Sequence, residues 1–156
     1  MHIEIGQLAP AFKLYDSQKQ LVSLSDYSGK NVLLLFFPLA FTSVCTAELC
    51  SVRDNIALYS NMNSDVLGIS VDSLYTLAAF KKEQQLNFPL LSDYRRQVVN
   101  KYGILMKNLG PLADYDAAKR SIFILDKDQR IQYRWVSDNP LIEPNYEEIK
   151  QVLKTL

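Results

Sequence analysis

The sequence predicts an α/β protein, a mixed central sheet with helices on both faces. Three observations carry this. Two apolar runs of strand length, "VLLLFF" (residues 32–37) and "DVLGISV" (65–71), do not alternate, as expected of strands covered on both sides. The stretch between them has helical spacing, which makes a strand–helix–strand unit with a right-handed crossover and a parallel pair. A third run, "SIFIL" (121–125), is followed by the turn "DKDQR" and the alternating "IQYRWV" (131–136), the pattern of an antiparallel addition with one wetter face. Together these give a sandwich of the thioredoxin type.

Each element has a local reason. Near the start, "AFKLYD" (11–16) and "QLVSL" (20–24) flank the turn "SQK" and predict a small hairpin. Residues 43–60 place Cys45, Leu49, Val52, Ile56 and Tyr59 at steps of four and three, one stripe of a single helix. Residues 73–86 are rich in helix formers and follow Asp72, read as the N-cap. "DYRRQVVNKYG" (93–103) opens with a capping acid, Asp93, and closes on Gly103, suited to the left-handed position after a helix. In "IQYRWV", Ile131, Tyr133 and Trp135 fall on one side and Gln132 and Arg134 on the other. The last segment, "NYEEIKQVLKTL" (145–156), sets Glu148 three residues after Asn145, a capping box with Asn in place of Ser or Thr. No repeat, linker or low-complexity tract interrupts the 156 residues, so one domain over 1–156 is expected.

Composition narrows the function. Apolar residues make up 48% and charged residues 22%, and Lys plus Arg equals Asp plus Glu at 17 each. That balance lacks the basic footprint of a nucleic-acid or anionic-membrane binder. The run at 32–37 is far too short to span a bilayer. "MHIEIGQLAP" shows no basic region followed by an apolar stretch, so a cytoplasmic location is expected, where thiols are kept reduced. The only histidine is His2, which argues against Ser-His-Asp, Cys-His and His-ligated zinc chemistry. No glycine-rich phosphate-binding motif appears.

The chemistry that remains sits in "FFPLAFTSVCTAELC" (36–50), which holds both cysteines, Cys45 and Cys50. The apolar strand stops at Pro38, and a helix beginning near Ser43 or Val44 puts Cys45 in its first turn. In a parallel α/β sheet this is the edge where ligands gather, and free N–H groups and the helix dipole there favour an anion. An ordinary thiol, with a pKa of about 8.5, is only about 3% ionised at pH 7. Moving it to about 6 takes about 3.4 kcal/mol, whereas a helix terminus supplies about 0.3–1 kcal/mol. A cation and hydroxyl donors must add the rest: Thr42 lies three residues before the sulfur, and Arg53 and Arg120 are the candidate cations. Against this stands a plain alternative, that Cys45 on its apolar stripe is an inert core cysteine. Cys50 lies about 140° round the helix from the stripe and should be partly accessible. Residues five apart on a helix have Cα atoms roughly 8.6 Å apart, beyond the disulfide limit of about 7 Å. Either the pair never joins, or the first turns of the helix must unwind; the spacing suits a two-stage chemistry in which Cys45 reacts while the helix is folded and Cys50 then attacks a sulfenic acid on it.

"PLAFTSVC" (38–45) resembles the P-x-x-x-[TS]-x-x-C motif of the peroxiredoxins, and "FPLLSD" (88–93), "YGI" (102–104) and "RSIFILDKDQRI" (120–131) extend the similarity over nearly the whole chain. The resemblance implies that Cys45 is the peroxidatic cysteine, that Pro38 shields it, and that Thr42 donates a hydrogen bond to sulfur and peroxide. It implies that Arg120 stabilises thiolate and transition state and that Glu48 orients the arginine. A peroxide is the implied substrate, of hydrogen peroxide or organic hydroperoxide type, and thioredoxin or a similar dithiol the implied reductant, with no cofactor, metal, nucleic acid or membrane. The wording "FFPLAFTSVC" is similar to the alkyl hydroperoxide reductase E-like members, which use one cysteine. The Cys45-x4-Cys50 spacing is similar to the PrxQ (bacterioferritin comigratory protein) members, in which Cys50 would resolve Cys45 within one chain. Two other classes stay open. A general thiol–disulfide oxidoreductase is disfavoured by the missing C-x-x-C, and a redox sensor would use the fold without turnover. Either a monomer or a homodimer through the apolar edge at 39–41 fits.

Overall fold

The apolar run at 32–37 becomes the middle of the sheet. In the computed structural model, which describes residues 3–156, the elements follow in the order β1 (Lys13–Asp16), β2 (Leu21–Ser23), a 3₁₀ turn (Leu24–Tyr27), β3 (Asn31–Phe36), α1 (Ser43–Asp54), α2 (Ile56–Asn61), β4 (Ser64–Ser70), α3 (Leu74–Glu83), β5 (Leu90–Ser92), α4 (Gln97–Lys101), β6 (Leu105–Met106), β7 (Ala117–Ala118), β8 (Ser121–Leu125), β9 (Ile131–Val136) and α5 (Tyr146–Lys154). His2 lies outside the described residues. Seven strands form one sheet in the order β2-β1-β5-β4-β3-β8-β9, and β6 and β7 form a separate ribbon. Strands β3, β4 and β5 are parallel, and β8 joins β3 antiparallel, so the mixed sheet expected from the sequence is present.

Every residue of β3 is buried because both faces are covered. Leu33, Leu35 and Phe37 pack with Leu49 and Val52 of α1, Leu77 and Phe80 of α3, and Ile149 and Leu153 of α5. Val32, Leu34 and Phe36 face the other way, toward Val98 and Val99 of α4, Tyr102 and Leu24. Each such fully buried aliphatic or aromatic side chain contributes about 1.5–3 kcal/mol relative to exposure. The crossovers β3-α1-β4 and β4-α3-β5 step the same way along the sheet, so a common right-handedness sets α1 and α3 on one face. Among the described residues no helix is long and apolar enough to cross a membrane.

Several local expectations need correction. The single helix at 43–60 breaks at Asn55, which is not helical (φ −114°, ψ 13°) and whose Nδ2 donates to the Ser51 carbonyl four residues back, 2.8 Å away. That side-chain bond competes with the helix ladder. The N-cap of α3 is Ser73, whose hydroxyl accepts from the Thr76 amide at 3.1 Å, and not Asp72, which is buried against the preceding loop. Helix α4 covers only part of 93–103, with Arg96 left-handed at its start (φ 58°). Asp93 still serves as the capping acid, accepting from the Val98 and Val99 amides at 3.2 and 2.8 Å. Ile131 does not share a side with Tyr133 and Trp135: an irregularity at Ile124/Leu125 shifts the register, and Ile131 enters the core on the face opposite to theirs. Strands β5, β6 and β7 were not expected. At the other end, Asn145 caps α5, accepting from the Glu148 amide at 3.1 Å, but the reciprocal bond from the Asn145 amide to the Glu148 side chain that a capping box requires is not made.

Candidate active site

Topology explains how distant residues meet. Because β8 runs antiparallel to β3, with Phe36 opposite Ser121, the residue before β8 lies at the carboxyl end of β3. That residue is Arg120. The same edge is where Pro38 ends the strand path and α1 begins, with Cys45 as its third residue. A separation of 75 residues thus closes to 3.2 Å between Arg120 Nη2 and Cys45 Sγ. The amides of Ser43, Val44 and Cys45, in the first turn, have no acceptor within the helix. Their positive end adds to the guanidinium in favouring negative charge at this point.

Arg120 is fully wired and almost wholly buried, at 1% exposure. Its Nη1 donates to Glu48 Oε1 at 2.7 Å, and its Nε and Nη2 donate to the Pro140 carbonyl at 3.2 and 2.7 Å. Glu48 follows Cys45 by three residues, so the two share one face of α1 and meet the same guanidinium. Glu48 is itself 0% exposed, and its Oε2 has no hydrogen-bond partner. Burial pushes the Glu48 carboxyl up to about 7; Arg120 opposes that, and Glu143 adds to it. For Arg120, burial works against the charge, but Glu48 and Cys45 outweigh it and hold the guanidinium above its ordinary range. Just outside, Tyr146 Oη donates to Glu143 Oε1 at 2.6 Å.

Cys45 and Arg120 lie on a pocket of about 340 Å³ whose wall is otherwise largely apolar, including Pro38, Leu39, Leu109, Leu112 and Leu141. Pro38 is buried at its base. Thr42 lines the same pocket and stands at the N-cap position, but its side chain caps nothing. Its hydroxyl donates to the Leu39 carbonyl at 2.6 Å and not to the sulfur. The far wall, Leu109–Leu112 and Pro140–Leu141, comes from loops with no motif to mark them, and was missed in the sequence. So was the Pro140 carbonyl, the acceptor that fixes Arg120.

Of the two candidate cations, only Arg120 reaches Cys45. Arg53 turns away, with Nη1 on the Gln84 carbonyl at 2.6 Å and Nε on Asp54 at 2.9 Å. It keeps company with Cys50, which is half-buried and whose thiol donates to Gln84 Oε1 at 3.5 Å. Both cysteines are free thiols on one unbroken helix. Among the described residues no cluster of three or more His, Cys, Asp or Glu could hold a metal ion.

Comparison with known proteins shows the family to which the chain belongs. The AhpC/TSA family pattern matches residues 5–134. The chain is 37% identical over 131 residues to peroxiredoxin Bcp of Escherichia coli K12, covering 84% of each chain. It is 36% identical over 137 residues to peroxiredoxin Bcp of Bacillus subtilis, covering 86% of each. Its fold superposes on peroxidoxin BcpB of Mycobacterium tuberculosis with a TM-score of 0.87 at 26% identity, covering 99% of both chains.

Proposed function

The chain belongs to the AhpC/TSA family and is a peroxiredoxin, and from that premise we propose a mechanism for its own residues. Cys45 is the sulfur that attacks peroxide. A hydroperoxide enters the pocket at the start of α1, and the Cys45 thiolate attacks its terminal oxygen in line, displacing the other oxygen. One S–O bond forms and the O–O bond breaks; the sulfur is oxidised to a sulfenic acid, and the leaving oxygen departs as water or alcohol after gaining a proton. Arg120 and the free amides of the first turn face the charge that develops on that oxygen. Thr42 turns its hydroxyl from Leu39 to the peroxide when substrate is present. Pro38 keeps bulk water from the sulfur, and Glu48 holds the guanidinium in register.

The observation that carries this reading is the fork of Arg120, with one arm at 3.2 Å from Cys45 and another at 2.7 Å from Glu48, all three side chains being buried. In the second half, the start of α1 opens and the Cys50 thiol attacks the sulfenic sulfur, forming the disulfide and releasing water. Thioredoxin or a similar dithiol then returns both thiols by exchange. Hydrogen peroxide and organic hydroperoxides are both substrates, the apolar wall admitting an alkyl group. The enzyme works in the cytoplasm as a single domain, as a monomer or as a homodimer through the edge at Phe41, whose ring is 48% exposed.

Single-turnover oxidation tests the whole scheme. With one equivalent of hydrogen peroxide, wild type should lose both free thiols and Cys50→Ser only one. Loss of one thiol in wild type would reduce Cys50 to a bystander and leave a one-cysteine peroxidase. Retention of both would overturn the proposal.

A further inference from the structure

The loop between β3 and α1 carries Pro38 and Thr42 and must move if the start of α1 is to unwind. Ala40 packs into the core and Leu39 against its other face, but the loop's hydrogen-bonded attachment is narrow. Among the described residues, one backbone amide of 38–42 donates to another part of the chain: Ala40 N, to Asp72 Oδ2 at 2.9 Å. Asp72 follows the end of β4, is 6% exposed, and is fixed from behind. Its Oδ2 also accepts from the Ser70 hydroxyl at 2.7 Å, its amide donates to the same hydroxyl at 3.2 Å, and its carbonyl accepts from the Ser92 hydroxyl at 2.6 Å. The anchor is therefore rigid on the sheet side and releasable on the loop side. Beside it, Phe41 takes a left-handed backbone (φ 68°), a strained state for an aromatic residue, with its ring against Phe80 at 5.1 Å. Strain of that kind persists only where neighbouring contacts hold it. The rest of α1 is gripped elsewhere, through Arg53 and Cys50 on Gln84.

We propose that Asp72 is a positioning residue that latches the 38–42 loop through the Ala40 amide and so sets how readily Cys45 leaves its pocket to meet Cys50. The inference rests on the two-cysteine reading above. With the latch made, the pocket is assembled and peroxide reacts with Cys45. When it breaks, the strain at Phe41 is relieved and the first turn of α1 is free to unwind, while Cys50 stays on the α3 side. The Cys45 sulfenic acid then has two fates. Cys50 thiol converts it to the disulfide and water. A second hydroperoxide converts it to sulfinic acid, forming another S–O bond, breaking the O–O bond and leaving water or alcohol. The latch tips the choice by delaying the first.

Two measurements test this. On the reduced protein, amide hydrogen exchange should show Ala40 protected in wild type. In Asp72→Ala, Ala40 and residues 43–46 should exchange roughly 10-fold or more faster, the loss expected for one charge-assisted bond to a buried carboxylate. Asp72→Asn, which keeps an acceptor for the amide, should restore most of the protection. In a peroxide titration followed by intact mass, Asp72→Ala should need roughly 10-fold more hydroperoxide for half-conversion to sulfinic acid, and should react more slowly in the first oxidation. Val99→Ala, which weakens the opposite core, should leave that partition where wild type has it. Unchanged exchange at Ala40 in Asp72→Ala, or a partition equal to that of Val99→Ala, overturns the latch. A wild type that forms no Cys45–Cys50 disulfide overturns the two-cysteine reading instead, and the exchange arm, which needs no oxidation, still decides the latch.

Discussion

Replacing Glu48 by Gln in a Cys45→Ser background isolates the carboxyl buried beneath the reactive sulfur. The Glu48 carboxyl moves from 4.5 to about 7 on folding, chiefly by burial, and neither Arg120 at 2.7 Å nor any partner for Oε2 brings it back. The sign follows from proton counting. Below about 4.5 the group is protonated in both states and costs nothing. Between about 4.5 and 7 the unfolded chain has released its proton while the folded protein keeps it, so stability falls as pH rises. Above about 7 the loss is complete. At about 1.4 kcal/mol per pH unit, the gap amounts to about 3 kcal/mol. Glutamine does not titrate and still offers Oε1 to Arg120, so the variant should lack this slope. Urea unfolding at several pH values between about 4 and 8 measures the difference directly. The Glu48 protein should lose about 3 kcal/mol relative to Glu48→Gln across that range, with most of the change between pH 4.5 and 7. Parallel stability curves for the two would refute the assignment of an incompletely compensated buried carboxyl.

Three other outcomes follow from the same structure. Gly68→Ala would set a Cβ 2.7 Å from Leu90 Cδ2 and 3.4 Å from Phe88 Cε2, both in the packed core, and should cost about 1–3 kcal/mol in urea unfolding. Phe80→Ala removes the ring that meets both Phe37 and Phe41 and should cost about 3–5 kcal/mol by the same assay. Leu141→Asp, at a pocket residue 73% exposed, should change stability by less than about 0.5 kcal/mol. It should nevertheless lower kcat/KM for cumene hydroperoxide about 10-fold relative to hydrogen peroxide, as steady-state kinetics with both substrates would show.

What the sequence reveals tracks the range over which each feature is determined. The β3 run and the stripe from Cys45 to Tyr59 are legible because burial repeats locally at strand or helix spacing. The break at Asn55 is not, because one side-chain bond to Ser51 decides it within an otherwise helical pattern. Strand β5 has three residues and exists through its pairing with β4 and β1, which no local period announces. Asp72 looks like a cap because it precedes a helix, but Ser73 is one residue nearer, and the carboxylate is taken by Ala40 and Ser70. In the site, Cys45 is marked by its place in the first turn of a helix, whereas Glu48 is singled out only by resemblance. Arg120 could be preferred over Arg53 only by resemblance, since antiparallel pairing of β8 with β3 is what delivers it. The walls at Leu109–Leu112 and Pro140–Leu141 belong to loops whose place depends on the whole topology.

The central claim is that Arg120 makes Cys45 reactive toward peroxide. In a Cys50→Ser background at pH 7, stopped-flow measurement of the second-order rate constant for Cys45 oxidation by hydrogen peroxide tests it most directly. Arg120→Ala should slow that step about 100- to 1,000-fold, the usual loss when a donor facing developing charge is removed. Arg120→Lys should recover only part of it, because an ammonium cannot hold the guanidinium's planar fork on Cys45, Glu48 and Pro140 together. A rate constant for Arg120→Ala within about twofold of the parent, where a loss of at least about 100-fold is required, would contradict the account.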